Sequence, residues 1–311
     1  MGLEQGYDVV IPTYDRTPQL VKCLAALKFQ SILPDKIIVV DALNSSVPPE
    51  ISTIDLHPMQ LIYVYNEKGR GNTANSRNLG LEYVTREITA YLDDDCYVMD
   101  GWSESMLSLY SSSDFVAVGG RTLNGMKYEH LTSTESMGTI GLSGEVIGNF
   151  AAMPDSIIEV DHMLGANCSW RTSALRELGG HFDEYDPGPA CLMEETEVCL
   201  RARDLGLRIA FNPAMIAFHE GAPQPNSFRF SPKYHYYHMR NQVFMLLRTT
   251  TYRTRVFKLF YVTVLCRVRG LIRSVGGHIL KGICEVCGMV AGLHLGILWL
   301  LSREHKHLKS D

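Results

Sequence analysis

Along the first hundred residues, apolar positions switch repeatedly between two spacings. Residues 7–12 (YDVVIP) form a short apolar run closed by proline, the pattern of a buried strand. Leu20, Cys23, Leu24 and Leu27 then recur at helical intervals across 19–27. KIIVVDA (36–42) predicts a second strand, rich in β-branched residues and ending near Asp41, and LIYVY (61–65) a third. Residues 75–84 return to helical spacing. ITAYL (88–92) is a fourth strand that runs straight into Asp93, Asp94 and Asp95. Strands alternating with helices predict an α/β fold with a mostly parallel sheet flanked by helices. Ligand sites in such sheets lie beyond the carboxyl ends of the strands, so Asp41 and the aspartate triplet are expected to converge.

From about 119 to 160 the chain is rich in Gly, Ser and Thr with weak periodicity, which predicts loops and short strands. Helical spacing returns over 192–205, followed by a short strand at 216–219 and a proline-containing loop at 221–228. Residues 234–247 predict an aromatic-rich helix. From 256 to 301 apolar residues dominate, interrupted by Arg267, Arg269, Arg273, Lys281 and Glu285. The cleanest apolar stretch, 286–301, contains His294 and falls short of the roughly 20 residues a spanning helix needs. A mixture of basic and apolar residues predicts a C-terminal helical extension lying on a membrane surface, with a core or dimer helix pair as the alternative.

Charge sharpens that division. The 311 residues carry a formal net charge of −5, which gives no reason to expect nucleic acid as a partner. Yet residues 240–311 hold 12 basic and 3 acidic residues, whereas residues 1–239 hold 17 and 31. The front is acidic and the tail is basic. The eight cysteines are scattered, and the one CxxC (Cys284, Cys287) sits in a helix-like run with no second pair nearby. Neither zinc nor a disulfide framework is expected, and a reducing compartment is. The first apolar stretch, 9–12, is far too short for a signal peptide, so a cytoplasmic location is expected.

Clustered carboxylates at a strand end either hold a hard divalent cation or form a solvated turn. In an Asp-x-Asp arrangement, Asp93 and Asp95 point to one side while Asp94 points elsewhere and is the least constrained. GNTANSRNLG (71–80) opens a helix with small polar residues and carries Arg77, a cation able to approach a phosphate or ribose. The same pattern also suits a capped surface helix. Asp41 can accept hydrogen bonds from a nucleobase or cap the segment after it.

IPTYDR, IIVVDA, GNTANSRNLG, YLDDD, GANCSWR and MEETEVCLRARDLG occur in one order over roughly residues 7–245. Together they resemble the family 2 glycosyltransferases. The resemblance implies a Rossmann-like GT-A fold, with a catalytic domain over 1–230 and a helical region over 231–311. The nucleotide-binding half would span about 1–118 and the acceptor-binding half about 119–230.

It further implies inverting, non-processive transfer from a UDP-, GDP- or dTDP-type sugar donor to a glycan or lipid-linked hydroxyl, with Mg²⁺ or Mn²⁺. YLDDD is similar to the family's DxD signature. Pro12, Tyr14, Asp41, Arg77, Asp93, Asp94 and Arg240 would then contact the nucleotide, while Asp95 and His219 would hold the metal. Glu194 and Glu195 would be the catalytic acidic pair, with Glu195 as base. Glu-Asp is usual there, so the Glu-Glu pair leaves Glu194, Glu195 and Glu197 all in contention. An acidic first turn matched to the helix dipole is the alternative reading of those three. Gln242 is not followed by Arg-Trp, which disfavours a processive synthase. A polyprenyl-phosphate sugar synthase, a sugar-1-phosphate nucleotidyltransferase and a non-catalytic binding subunit stand as alternatives. The protein is expected to be peripheral on the inner face of the membrane, with the C-terminal helices also able to form a homo-oligomer.

Overall fold

The computed structural model describes residues 6–127, 129, 133–181, 192–221, 231–263 and 278–307. The predicted loop at 221–228 lies almost wholly outside them, as do Arg267, Arg269 and Arg273. The chain forms two compact units. One comprises Met1–Thr139, Ile147–Asp186 and Glu194–Ala222; the other comprises Ile140–Val146, Pro187–Met193 and Pro223–Asp311.

The first unit is built on a nine-stranded sheet. Four strands, β1 (Tyr7–Thr13), β2 (Lys36–Asp41), β3 (Gln60–Tyr65) and β4 (Ile88–Leu92), pair in parallel in the order β3-β2-β1-β4. Each reads as a continuous apolar run because both of its faces are covered. On one face pack α1 (Thr17–Lys28), through Leu20, Cys23, Leu24 and Leu27, and α4 (Trp102–Ser112), through Trp102 and Met106. On the other lie α3 (Thr73–Tyr83), α5 (Thr172–Glu177) and α6 (Glu194–Asp204), through Leu81, Leu175, Val198 and Cys199. The short helix α2 (Pro49–Ser52) joins β2 to β3.

Beyond β4 the sheet becomes mixed. The order continues through β10 (Asn167–Arg171), β6 (Ala117–Leu123) and β11 (Ile209–His219) to β5 (Cys96–Val98). β10 runs antiparallel between β4 and β6, and the two-residue β9 (Ile158–Glu159) pairs with β11. A separate hairpin joins β7 (Thr139–Ile140) and β8 (Val146–Ile147). The strand expected at 216–219 is thus the end of an eleven-residue one, with a register shift between Asn212 and Ile216. Its first half escaped notice because the Asn-Pro pair at 212–213 reads as a turn. Within GANCSWR, Asn167–Arg171 form β10, buried from Asn167 to Trp170.

Chain order reverses at β1, whose neighbours β2 and β4 lie on opposite sides. The crevice beyond the carboxyl ends of β1 and β4 is therefore the topological switch point, where α/β sheets bind ligands.

The second unit contains α7 (Pro232–Arg248), α8 (255–263) and α9 (His278–His307). Ser231 caps α7 by accepting from the Tyr234 amide. Along α9, Gly288, Gly292 and Gly296 face α7 so closely that added Cβ atoms would meet Tyr236 O, Arg240 O and Leu247 Cδ1 at 2.2, 2.4 and 2.3 Å. The helices touch backbone to backbone. Glu285, on the same buried face, pairs with His235 at 2.8 Å.

Gly80 fixes how α3 lies on the sheet, since a Cβ there would sit 2.3 Å from Val10 Cγ1 and 3.2 Å from Val40 Cγ2. Gly80→Ala is expected to lower stability by about 1–3 kcal/mol through overpacking. In a Val10→Ala background the same change should cost much less, as read by urea unfolding of the four variants.

Candidate active site

Backbone pairing gathers the acidic cluster. β4 ends at Leu92, the chain turns through Asp93–Asp95 with Cys96 N donating to Asp93 O (3.0 Å), and β5 follows. β5 then pairs antiparallel with the end of β11, so that Cys96 lies opposite His219. Glu220 N donates to Asp95 O at 2.9 Å and extends this clamp. His219 Nε2 comes to 3.0 Å from Asp95 Oδ1 and 3.9 Å from Asp93 Oδ2. The ligand atoms of Asp93, Asp95 and His219 all lie within 4.8 Å of one another. Two carboxylates and an imidazole at that spacing can share one divalent cation.

The middle aspartate departs from expectation. Asp94 is buried, accepting from Thr13 Oγ1 at 2.7 Å and from Arg16 Nη1 at 3.1 Å. It is tightly constrained and ties the end of β1 to the end of β4. Burial raises its carboxyl to about 6, against the opposing effects of Arg16 and Thr13. Arg16 also reaches Asp95 Oδ2 at 3.1 Å and is a site residue that sequence reasoning missed. Its one signal was its place in IPTYDR. The preceding Asp15 holds a left-handed φ of 56° at the loop that delivers Arg16.

Arg77 takes a different position from the one expected. Its side chain is 3 % exposed, with Nη1 donating to Glu194 Oε1 (2.6 Å) and Nη2 to Asp93 Oδ1 (3.0 Å). The guanidinium lies 5.9 Å from the Tyr91 ring centroid. A Cβ on Gly165 would sit 2.8–3.1 Å from three guanidinium atoms, so glycine is what leaves room for it. Burial disfavours its charge, but Glu194, Asp93 and Glu195 more than offset this and hold it protonated.

The three glutamates opening α6 separate by environment. Glu197 forms an i,i+4 ion pair with Arg201 at 2.9 Å. Glu194 is buried on Arg77; burial and the neighbouring Glu195 charge push its carboxyl up, and Arg77 pulls against them. Glu195 is half-buried and lies close enough to Glu194 and Arg77 to act on both. Met193, immediately before, has a left-handed φ of 75°, a costly conformation that turns the chain into α6.

Asp41, at the end of β2, caps the following segment: it accepts from Leu43 N (2.7 Å), Asn44 N (3.1 Å), Asn44 Nδ2 (2.9 Å) and the Tyr63 hydroxyl. The Tyr14 ring carries the Arg70 guanidinium at 5.3 Å, and Pro12 pairs with Val40 in the sheet. Arg240 belongs to the second unit, stacked 4.6 Å from the Tyr237 ring and donating to Asn241 Oδ1 at 3.0 Å.

Residues 8–179, more than half of the chain, match the model of glycosyl transferase family 2. The chain belongs to that family. A curated relative, the pre-mycofactocin glycosyltransferase of Mycobacterium tuberculosis, is 25% identical over 223 residues. The match covers 70% of this chain and 43% of that protein, so the chain spans under half the length of this relative. Among solved structures, Staphylococcus aureus TarS (residues 1–349, with UDP-GlcNAc) superposes with a TM-score of 0.59 at 17% identity, covering 82% of this chain and 71% of TarS. The mannosyltransferase PcManGT of Pyrobaculum calidifontis, with GDP-Man and Mn²⁺, gives 0.57 at 15% identity over 97% and 80%. Both likenesses bear out the GT-A fold.

In this family 2 fold the DxD stretch and His219 supply an oxygen-rich donor set with one imidazole. A divalent cation shared by this cluster would lose about tenfold or more in affinity in Asp95→Ala and in His219→Ala, a loss read by calorimetric titration with Mn²⁺ without nucleotide. Asp94→Asn should instead lower the unfolding temperature, because it loosens the tie to Thr13 and Arg16.

Proposed function

We propose that this chain is a metal-dependent inverting glycosyltransferase that moves a sugar from a nucleoside-diphosphate sugar to a hydroxyl of a glycan or lipid-linked acceptor. The observation that carries the reading is the convergence of Asp93, Asp95 and His219 with the Glu194–Glu195 pair, through Arg77, at the switch point of the sheet. The nucleotide-binding half is read as about 1–118 and the acceptor-binding half as about 119–230. Pro12, Tyr14 and Asp41 are read as the nucleoside side of the site, and that reading is open to UDP-, GDP- and dTDP-type donors alike.

The family's Mg²⁺ or Mn²⁺ would be held by Asp93, Asp95 and His219, and the imidazole favours Mn²⁺. When bound, the ion supplies charge stabilisation to the departing diphosphate. The remaining work falls to the protein. Glu195 takes the proton of the acceptor hydroxyl as its oxygen bonds to the anomeric carbon. The bond to the diphosphate oxygen breaks on the opposite face, its electron pair leaving with the nucleoside diphosphate. Glu195 suits the base because Glu194 and Glu197 are engaged by arginines. A polyprenyl-phosphate acceptor would use the same constellation.

The second unit supports a peripheral place on the inner face of the membrane. Phe257, Phe260, Tyr261 and Val262 are exposed on α8, and Leu280, Ile283, Val290, Ile297, Leu298 and Leu301 are exposed on α9. They belong to the region carrying 12 basic against 3 acidic residues, a match for anionic headgroups. α9 contains the one helical segment among the described residues, Leu280–Leu301, that is long and apolar enough to cross a bilayer by length and composition. It exceeds the stretch chosen from sequence because the apolar run starts earlier, around Lys281 and Glu285.

Incubation with UDP-, GDP- and dTDP-sugars and Mn²⁺ should release the free nucleoside diphosphate of one base. Pyrophosphate formed from nucleoside triphosphate and sugar phosphate would instead mark a nucleotidyltransferase. Glu195→Gln is expected to lower transfer by about 10²–10⁴-fold with nucleotide affinity retained. Near-normal turnover would move the base elsewhere. In flotation assays the chain should rise with phosphatidylglycerol-containing vesicles but not with pure phosphatidylcholine, and Phe257→Ser with Ile297→Ser should abolish this. A dimer that ignores vesicles would assign the face to a second copy.

A further inference from the structure

Arg77 is the most deeply buried cation near the site, yet it lies where neither nitrogen of its terminal fork is offered outward. One is spent on Asp93, at the metal side, and the other on Glu194, beside the proposed base. The guanidinium is planar, so its two Nη atoms fix the separation and angle of the two carboxylates they hold. Four separate stretches make room for it: α3 carries it, Tyr91 on β4 lies against it, Gly165 leaves space for it, and the first turn of α6 receives it.

A second set of contacts closes the same circuit independently. Asn78, the next residue on α3, donates from Nδ2 to His181 O (2.7 Å) and accepts at Oδ1 from His181 N (2.8 Å). Gly180, with φ of 71°, permits that approach, since a Cβ would meet Asn78 Oδ1 at 2.5 Å. Arg201, held by Glu197 on α6, donates to Gly180 O at 2.7 Å and to Leu178 O. α6 is therefore tied to α3 at its first turn through Arg77–Glu194 and again through Arg201, residues 178–181 and Asn78. A helix anchored twice to the element that also grips Asp93 cannot shift its first turn without moving the metal-side carboxylate.

We propose that Arg77 is a positioning residue that couples the acidic pair opening α6 to Asp93, setting the distance between the proton acceptor and the metal-side carboxylate rather than binding nucleotide. This rests on the proposed transferase reading where it names Glu195 as the base. Holding Glu194 fixed leaves its neighbour Glu195 as the half-buried carboxylate of the turn. Deleting the guanidinium would leave a carboxylate buried without a cation, a strongly destabilising change.

The test separates positioning from both nucleotide binding and simple stability. In full-length protein, Arg77→Lys keeps a charge but loses the two-pronged grip. It is expected to fold, to hold donor KM within about threefold, and to lose kcat by about 10- to 100-fold. A rise in donor KM and in the dissociation constant of the nucleoside diphosphate, with kcat preserved, would assign Arg77 to the nucleotide and overturn the proposal. Unchanged kcat and KM in a folded Arg77→Lys variant would overturn it as well.

Arg77→Met is expected to unfold at a lower urea concentration than the parent. Adding Glu194→Gln should bring the midpoint back to or above that of Arg77→Met alone, because the unpaired charge is gone, while kcat stays low. Strictly additive midpoints would overturn the coupling even if no donor proves to be a substrate. Absence of turnover in the parent with non-additive midpoints would instead sink the transferase reading and leave the strut standing.

Discussion

A guanidinium moved out of water costs several kcal/mol unless carboxylates meet it with good geometry. Arg77 imposes that constraint on the first unit. Its two terminal nitrogens need partners deep between the sheet and the helices on one face, and Asp93 and Glu194 come from positions 16 and 117 residues away to provide them. Satisfying them demands that α3 sit at the depth Gly80 allows and that residue 165 carry no side chain. It also demands that the chain turn sharply at Met193 to aim the first residue of α6 inward. Through this one buried cation GNTANSRNLG, YLDDD and MEETEVCLRARDLG meet.

That constraint also shows why some features could be read from the sequence and others could not. The parallel strands were legible because burial on both faces leaves a continuous apolar run, and ITAYL at 88–92 coincides with β4. The DxD stretch was legible because it follows such a run. The antiparallel insertion of β10 between β4 and β6 was not, since it is set by long-range pairing and by Asn167, which accepts from Trp102 and donates to Arg121 O and Met215 O. Nor can a sequence show whether an arginine near an acidic motif faces ligand or carboxylate. Arg77 and Arg16 have comparable motif context and both meet carboxylates, yet they sit at different depths, 3 % and 25 % exposed.

Helical periodicity in the second unit carried a similar ambiguity. Apolar residues around most of α9 suit a buried helix, an interfacial one or a spanning one equally well. What resolves the inner face is the four-residue repeat of Gly288, Gly292 and Gly296, which brings the α7 backbone into contact along that side. The buried Glu285–His235 pair lies on this face too, so Glu285, one of the charges that interrupt the apolar run, is an internal contact. The outer face carries Leu280, Ile283, Val290, Ile297 and Leu301, with the exposed Cys287 and His294 among them.

Charge at the first unit's site divides along the same inner and outer lines. Neighbouring aspartates repel, and a strand end holds three of them only if each finds a different compensation. Asp94 turns inward to Thr13 and Arg16 and joins β1 to β4. Asp93 is split, one oxygen on Arg77 and the other within 3.9 Å of His219. Asp95 meets Arg16 through one oxygen and His219 through the other. The arginines thus grip the cluster from two sides while His219 closes the third. The direction in which Asp93 and Asp95 can still accept a cation is set by the residues that already hold them.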